Sequence, residues 1–358
     1  MKQIESLRKD IREKDREIVR LLNERAAISL DIGKIKSSQG REIYDPAQEK
    51  KVREGIMAFN EGPLEDESLN GIFREIISVS RALQAPLSIA YFGPEASFTH
   101  AAAQSHFGAS ASFQPCPSIS EVFDETEREK VHCGIVPIEN SSEGSVKQTL
   151  DRLVTTPLQI RAEIFLRISH SLLSMQEDLS RIRRVYSHPQ ALAQCRIWLR
   201  THLPSAELIA ADNTAAAAQR VREEPEIAAA VGNVRAASVY QLKIVMEGIE
   251  DNPSNTTRFI VIGKGNNRPT GNDKTSILFS TTHAPGSLYR ALETLANEEI
   301  NMNRIESYPS KMSPWSYLFF VDFEGHREDI KILRSLQELK LHTTFTKVLG
   351  SYPKGDAV

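Results

Sequence analysis

The first 36 residues contain no proline, and their first glycine is Gly33. Apolar residues recur through them at helical spacing: Ile4, Leu7, Ile11, Ile18, Leu21, Ile28, Ile32 and Ile35. This pattern predicts one amphipathic helix whose length suits a helical bundle or coiled-coil seam better than a compact α/β unit. Asp45-Pro46 reads as an N-cap and first-turn proline opening a second helix, which Gly62-Pro63 ends. A third helix is expected from Glu65 to Gln84, stopping before Pro86. Residues 1–85 are therefore expected to form an all-α domain.

After Pro86 the texture changes. Short β-rich runs (LSIAYFG, CGIVPI, RRVYSH, IAAAVGN and FIVIG) alternate with Ala-rich or amphipathic stretches, which predicts an α/β domain over 86–268 with mostly parallel strands. GKGNNRPTGND reads as a linker. Residues 273–358 then follow the order strand, helix, strand, strand, helix, strand, the ferredoxin-like βαββαβ arrangement.

A chain of 358 residues exceeds what one core usually fills, so two or three domains are expected. Its net charge of -3 lacks the basic excess that nucleic acid or a membrane surface would call for, leaving small molecules as the expected partners. The start MKQIESLRKD has no apolar signal core and no run reaches membrane-span length, so a cytoplasmic location is expected. Cys116, Cys133 and Cys195 fit no paired spacing, and the nine histidines include no metal-ligand spacing. Neither a metal nor an organic cofactor is expected.

The first helix carries a charged seam. In heptads from Ile4, one core position is filled by Ile4, Ile11, Ile18, Arg25 and Ile32, so a cation stands where an aliphatic residue belongs. Lys14, Arg25 and Lys36 recur every 11 residues, which at about 100° per residue returns them to within roughly 20° of one another. For Lys14, exposure to solvent is the expected outcome. Residues 1–85 hold 16 Lys and Arg against 16 Asp and Glu, so the stripe is local rather than part of a basic surface.

The segments LRKDI, LLNERAAISLDIGKIK, YDPAQEKKV and IFREIISVSRALQ together resemble the all-helical chorismate mutase family. The resemblance implies an active site at Arg8, Arg25, Lys36, Asp45, Glu49, Ser80 and Gln84. Asp45 and Glu49 are i,i+4 neighbours, as are Ser80 and Gln84, so each pair shares a helix face. The family's rearrangement is pericyclic and transfers no proton, so positioning and charge are all the protein can offer. By resemblance, arginines hold the substrate carboxylates, Lys36 and Gln84 face the breaking ether bond, and Glu49 orients the ring hydroxyl. Gln48 stands where an arginine is often found. The resemblance further implies a dimer in which Arg8 comes from the partner chain.

In the second segment, polar loops adjoin apolar runs: IVPI leads into Glu139-Asn140-Ser141-Ser142, VYS into His188, and NPSNTTRF runs into FIVIG. Ligands bind where the strands of open α/β sheets end in loops. The Thr and Arg residues of NPSNTTRF suit an anion. YFGPEASFTHAAA, GIVPIENSSEGSV, YSHPQALAQC, DNTAAAA and NTTRF, in that order, resemble prephenate dehydratase, with two α/β lobes like a periplasmic binding protein and substrate in the cleft. The resemblance implies substrate contacts at Glu139, Asn140, Ser187, Gln194, Arg258 and Phe259. Arg258 is expected to hold a carboxylate, and Thr257 to donate to the departing hydroxyl. Cys195 with His188 would suggest a nucleophile pair, but this reaction needs no covalent step and a packed thiol is expected. Gly263-Lys264-Gly265 starts a dinucleotide fingerprint that Arg268 breaks.

The tail resembles an ACT domain, an amino-acid sensor, through THAPGSL and RIESYPSK. This implies L-phenylalanine as effector at Gly286, Leu288, Glu306 and Ser307, between paired tails of a homodimer or higher oligomer. Tyr308 stands where the family usually has arginine. The whole resembles the bifunctional chorismate mutase/prephenate dehydratases, with chorismate and prephenate as substrates. A non-catalytic amino-acid sensor and an arogenate-preferring dehydratase are the alternative readings.

Overall fold

The computed structural model describes residues 2–309 and 317–355. Ser310 and Lys311 of the RIESYPSK segment lie outside the described residues. The chain divides into two compact units: residues 1–88 with 106–112, and the remainder.

The first unit is helical. Lys2–Ser38 forms one continuous helix of 37 residues, followed by Pro46–Met57 and Asp66–Gln84. Asp45 caps the second helix by accepting from the Gln48 backbone N–H at 3.1 Å, with Pro46 in its first turn. That helix stops at Met57, before the expected Gly62-Pro63. Asn60 organises the turn instead, donating to the Leu64 carbonyl at 3.0 Å and accepting from the Gly62 N–H at 3.2 Å. The first and third helices meet closely at Gly33, where a Cβ would stand 2.9 Å from the Gln84 side chain. Farther toward the N-terminus, Ile4, Leu7, Ile11 and Ile18 are each more than half exposed. Lys14 pairs with Glu17 at the surface.

In the second unit one sheet has the order Ser112–Cys116, Ser88–Phe92, Cys133–Asn140, Thr256–Gly263, Gln159–Arg167. A second sheet has the order Lys243–Met246, Ser171–Ser174, Ala228–Gly232, Arg184–Ser187, Glu207–Ala210. The sheets are mixed rather than mostly parallel. Thr256–Gly263 runs antiparallel to both of its neighbours because it returns the chain from the second lobe to the first.

The tail is the expected βαββαβ: an antiparallel sheet in the order Met302–Pro309, Tyr317–Glu324, Asp273–Ser280, Phe345–Pro353, with helices Ser287–Asn297 and Ile330–Leu341. Ile277, Phe279, Val321 and Phe323 pack against these helices. The opposite face shares one core with the first lobe, in which Leu278, Phe320, Leu349 and Tyr352 meet Leu150, Ile160, Ile260 and Ile262. Gly350 permits the approach, since any Cβ there would collide with the backbone of Ile160. The expected linker is tied down as well. Asn267 is buried and donates to the carbonyls of Arg161 and Ser351 at 2.8 and 2.9 Å, bridging lobe and tail.

Two candidate active sites

The helical unit holds a cavity of about 270 Å³ whose apolar wall includes Ile28, Ile32, Val52 and Ile77. Into it come Arg25, Lys36, Asp45, Glu49, Ser80 and Gln84, six of the seven residues expected there. Arg25 donates to the Ser80 hydroxyl, Ser29 to the Ser80 carbonyl at 3.1 Å, and Gln84 to Ser29 at 2.9 Å. Lys36 is held over the cavity by the Ile43 carbonyl at 3.0 Å. Arg8 lies elsewhere on this chain, exposed and paired with Glu5 at 3.0 Å.

Arg81 also lines this cavity, and the sequence reading does not single it out. It is buried, 3.5 Å from Glu49, and donates to the Phe107 carbonyl at 2.6 Å. Its signal is positional: Ile77, Ser80, Arg81 and Gln84 fall at i, i+3, i+4 and i+7, a single helix stripe. The Arg81 Nη1 donor and the Gln84 Oε1 acceptor are buried without a protein partner. Such groups are costly unless a ligand satisfies them. Burial lifts the Glu49 carboxyl above its ordinary range, against the pull of Arg81, Arg53 and Lys36. Three cations, two carboxylates and an apolar wall suit a ligand that carries carboxylates and a hydroxyl.

The second unit holds a larger cavity, of about 950 Å³, between its two lobes. Strand alternation places Thr257 and Phe259 on the cleft face of Thr256–Gly263, and Asn140 stands opposite Thr257 in the ladder. The Asn140 Oδ1 accepts from the backbone N–H groups of Ser142 and Glu143 at 3.0 and 3.2 Å. Its amide nitrogen must then face the other way, where it donates to Asn255 Oδ1 and Thr257 Oγ1, each at 2.8 Å. With Thr257 Oγ1 already accepting, its own proton is free to be donated elsewhere.

Gln194 lines the cleft and bonds His170 Nε2 at 2.9 Å. His170, which the sequence reading leaves out, is almost fully buried, with Nδ1 unpartnered and Phe98 edge-on to its ring. Burial lowers its pKa and favours the neutral ring. His188 lines the cleft too, but its Nδ1 accepts from Gln190 as a helix N-cap. Burial pushes the Cys195 thiol far up, which rules against a thiolate nucleophile.

Three expected cleft residues lie elsewhere. Ser187 is fully buried and donates to the Val231 carbonyl at 2.6 Å, joining adjacent strands. Arg258 follows Thr257 on the same strand, so it faces the other side of the sheet. There its Nε lies 2.8 Å from Glu163, its Nη1 is 2.5 Å from Asp322, and its Nη2 donates to the Tyr352 hydroxyl at 2.8 Å. Burial opposes its charge, but Tyr352, Asp322 and Glu163 outweigh burial and hold it protonated. Glu139 pairs with Arg258 in the ladder and shares this rear face, 3.1 Å from Arg304 Nε. In this position Arg258 is ion-paired with the tail and does not line the cleft.

The expected effector residues do not share one face. Gly286, with φ 77°, precedes the Ser287–Asn297 helix, and Leu288 packs on the tail core. Glu306 and Ser307 are neighbours on an edge strand and point to opposite sides. Tyr308 turns toward the lobe, where its hydroxyl donates to Asp151 at 2.7 Å.

Residues 89–267 match the family model of prephenate dehydratase, and residues 7–85 that of chorismate mutase type II. A bifunctional chorismate mutase/prephenate dehydratase of Aquifex aeolicus is 45% identical over 358 residues, covering 99% of each chain. Its counterpart in Pseudomonas aeruginosa is 43% identical over 358 residues, 98% of each chain. The crystal structure of prephenate dehydratase from Arthrobacter aurescens in complex with L-Phe superposes with a TM-score of 0.69 at 33% identity, over 75% of this chain and 90% of that one. Among the described residues no helix is long and apolar enough to cross a membrane.

Proposed function

The chain belongs to the bifunctional chorismate mutase/prephenate dehydratase family and carries both activities, and from that premise we propose how its two cavities divide the work. The helical cavity rearranges chorismate to prephenate. Arg25 and Arg81 face the substrate carboxylates, Lys36 meets the negative charge that grows on the ether oxygen, and Glu49 accepts from the ring hydroxyl. Arg8, remote from this cavity, completes it from a second copy. The exposed row Ile4, Leu7, Ile11 and Ile18 supports that reading, since a second helix would cover it.

The cleft of the second unit takes prephenate, which becomes phenylpyruvate by losing carbon dioxide and its ring hydroxyl as hydroxide. The single observation behind this assignment is the pinned Asn140 amide, which occupies a lone pair of Thr257 Oγ1 and leaves the Thr257 O–H as donor to the departing oxygen. Gln194 and neutral His170 flank the ring. L-Phenylalanine inhibits by binding where two tails meet, near Gly286 and the edge strand carrying Glu306 and Ser307, and the enzyme works in the cytoplasm as a homodimer or larger assembly. The relative from Arthrobacter aurescens was crystallised with L-Phe, which favours that effector.

Separate assays with chorismate and with prephenate test the assignment, with phenylalanine titrated into the second. Mixing an Arg8→Ala chain with a Lys36→Ala chain tests the shared mutase site. Each is inactive alone, and exchange of subunits restores sites in which neither residue is missing. Failure to regain mutase activity after proven exchange would place Arg8 outside the site.

A further inference from the structure

The strands Cys133–Asn140 and Thr256–Gly263 are paired so that Thr257 faces Asn140 and Arg258 faces Glu139. The first pair lines the dehydratase cleft, and the second lies directly behind it. Both members of the rear pair are gripped by the tail: Asp322 is 2.5 Å from Arg258, and Arg304 Nε is 3.1 Å from Glu139. Arg304 also reaches the front, donating from Nη2 to the hydroxyl of Ser145, which lines the cleft, at 2.6 Å. We propose that Arg304 and Asp322 of the tail are positioning residues for dehydration, setting the separation and orientation of Thr257 and Asn140 through Arg258, Glu139 and Ser145. The inference rests on Thr257 and Asn140 acting on prephenate.

Arg258 and Lys274 are buried against Glu163 and Asp322, with Lys274 2.8 Å from Glu163, while Arg304 stands between the partly exposed Glu139 and Glu306. A buried network of this kind has few alternative arrangements, because moving any one member leaves another charge unpaired. It therefore fixes the local register of the two cleft strands more tightly than apolar packing, which tolerates sliding. The tail on this view is part of the dehydratase site, one layer behind the reacting atoms.

Steady-state kinetics of full-length Arg304→Gln and Asp322→Asn, with supplied prephenate, test the proposal. Dehydratase kcat should fall roughly 10- to 100-fold, the scale of a small misplacement of reacting groups, with KM within about twofold. Arg304→Lys, which keeps the charge toward Glu139, should recover part of the loss. Mutase activity of the same preparations should be unchanged, and a wild-type thermal unfolding transition of the dehydratase portion reports that each variant is folded there. In a Thr257→Val background, Arg304→Gln should lower kcat little further, because its effect runs through the hydroxyl already removed. Wild-type kcat in both single variants overturns the proposal. So does a loss that multiplies fully with that of Thr257→Val, the mark of a general structural role. Thr257→Val with undiminished kcat would instead overturn the assignment of Thr257 itself, whatever the tail variants do.

Discussion

Asn140 donates to the hydroxyl of Thr257 at 2.8 Å, and two backbone N–H groups on the Asn140 carbonyl oxygen make the reverse orientation of that amide unfavourable. A threonine hydroxyl that both accepts and must donate is a directed proton source rather than a freely rotating one. Thr257→Val keeps the β-branched shape and removes the donor. Dehydratase kcat should drop by about 100-fold or more, near 3 kcal/mol, with a smaller change in KM. Thr257→Ser keeps the hydroxyl and should retain far more activity. Wild-type turnover in Thr257→Val would move the leaving-group role to another cleft donor.

Lys36 and Thr257 belong to different compact units. Lys36→Ala removes the cation that faces the developing oxyanion and should abolish mutase turnover, at a cost on the order of 3 kcal/mol or more. Dehydratase activity on supplied prephenate should stay near wild type. Parallel loss of both activities in a folded variant would contradict two independent sites.

Glu49 gives the mutase a pH signature. Burial raises its pKa above the ordinary 4.5, outweighing Arg81, Arg53 and Lys36. If its ionised form orients the substrate hydroxyl, kcat/KM falls on acidification at a pH above that of a normal carboxylate, and Glu49→Gln lacks this limb. The sign for folding is opposite. A carboxyl whose pKa is raised in the folded state binds its proton more tightly there, so its contribution to stability falls as pH rises through that pKa. An acid limb that persists in Glu49→Gln assigns the titration to another group.

The helical cavity was the more legible of the two because its residues sit at fixed offsets on three helices. Spacing puts Asp45 beside Glu49 and Ser80 beside Gln84, while Arg81, masked by the run of aliphatic and serine residues around it, and Ser29 escape. The cleft is harder, because strand period decides between opposite faces. Thr257 and Arg258 are adjacent on one strand and cannot both face substrate, yet the sequence does not say which of them does. What settles it is the set of partners waiting behind the sheet. Asp322 lies 64 residues further along the chain, in a segment whose own pattern reads as an independent domain. GKGNNRPTGND likewise has the composition of a loose linker. The buried bridge from Asn267 to Ser351 joins lobe and tail there.

A chain cut after Asn267 should therefore lose more than the effector response proposed above. The cut removes Asp322 and Tyr352 from Arg258, and Lys274 from Glu163, leaving buried charges without their partners. Breaking one such pair costs about 3–5 kcal/mol, comparable with the whole stability of many domains. It also uncovers the apolar face formed by Ile160, Ile260 and Ile262, and strips Lys347 from the carbonyls of Leu153, Val154 and Thr156, where it caps the end of the Lys147–Thr155 helix. The dehydratase portion should unfold at lower temperature or aggregate, and its activity should vanish, while mutase activity remains. Thermal unfolding followed alongside both activities decides the matter. A cut chain that dehydrates prephenate at the wild-type rate, with an unchanged transition, would mean the ion cluster contributes nothing to the cleft. The phenylalanine response proposed above must accordingly be probed in the full chain, through variants of Ser307 rather than of Glu306, which lies 3.9 Å from Arg304.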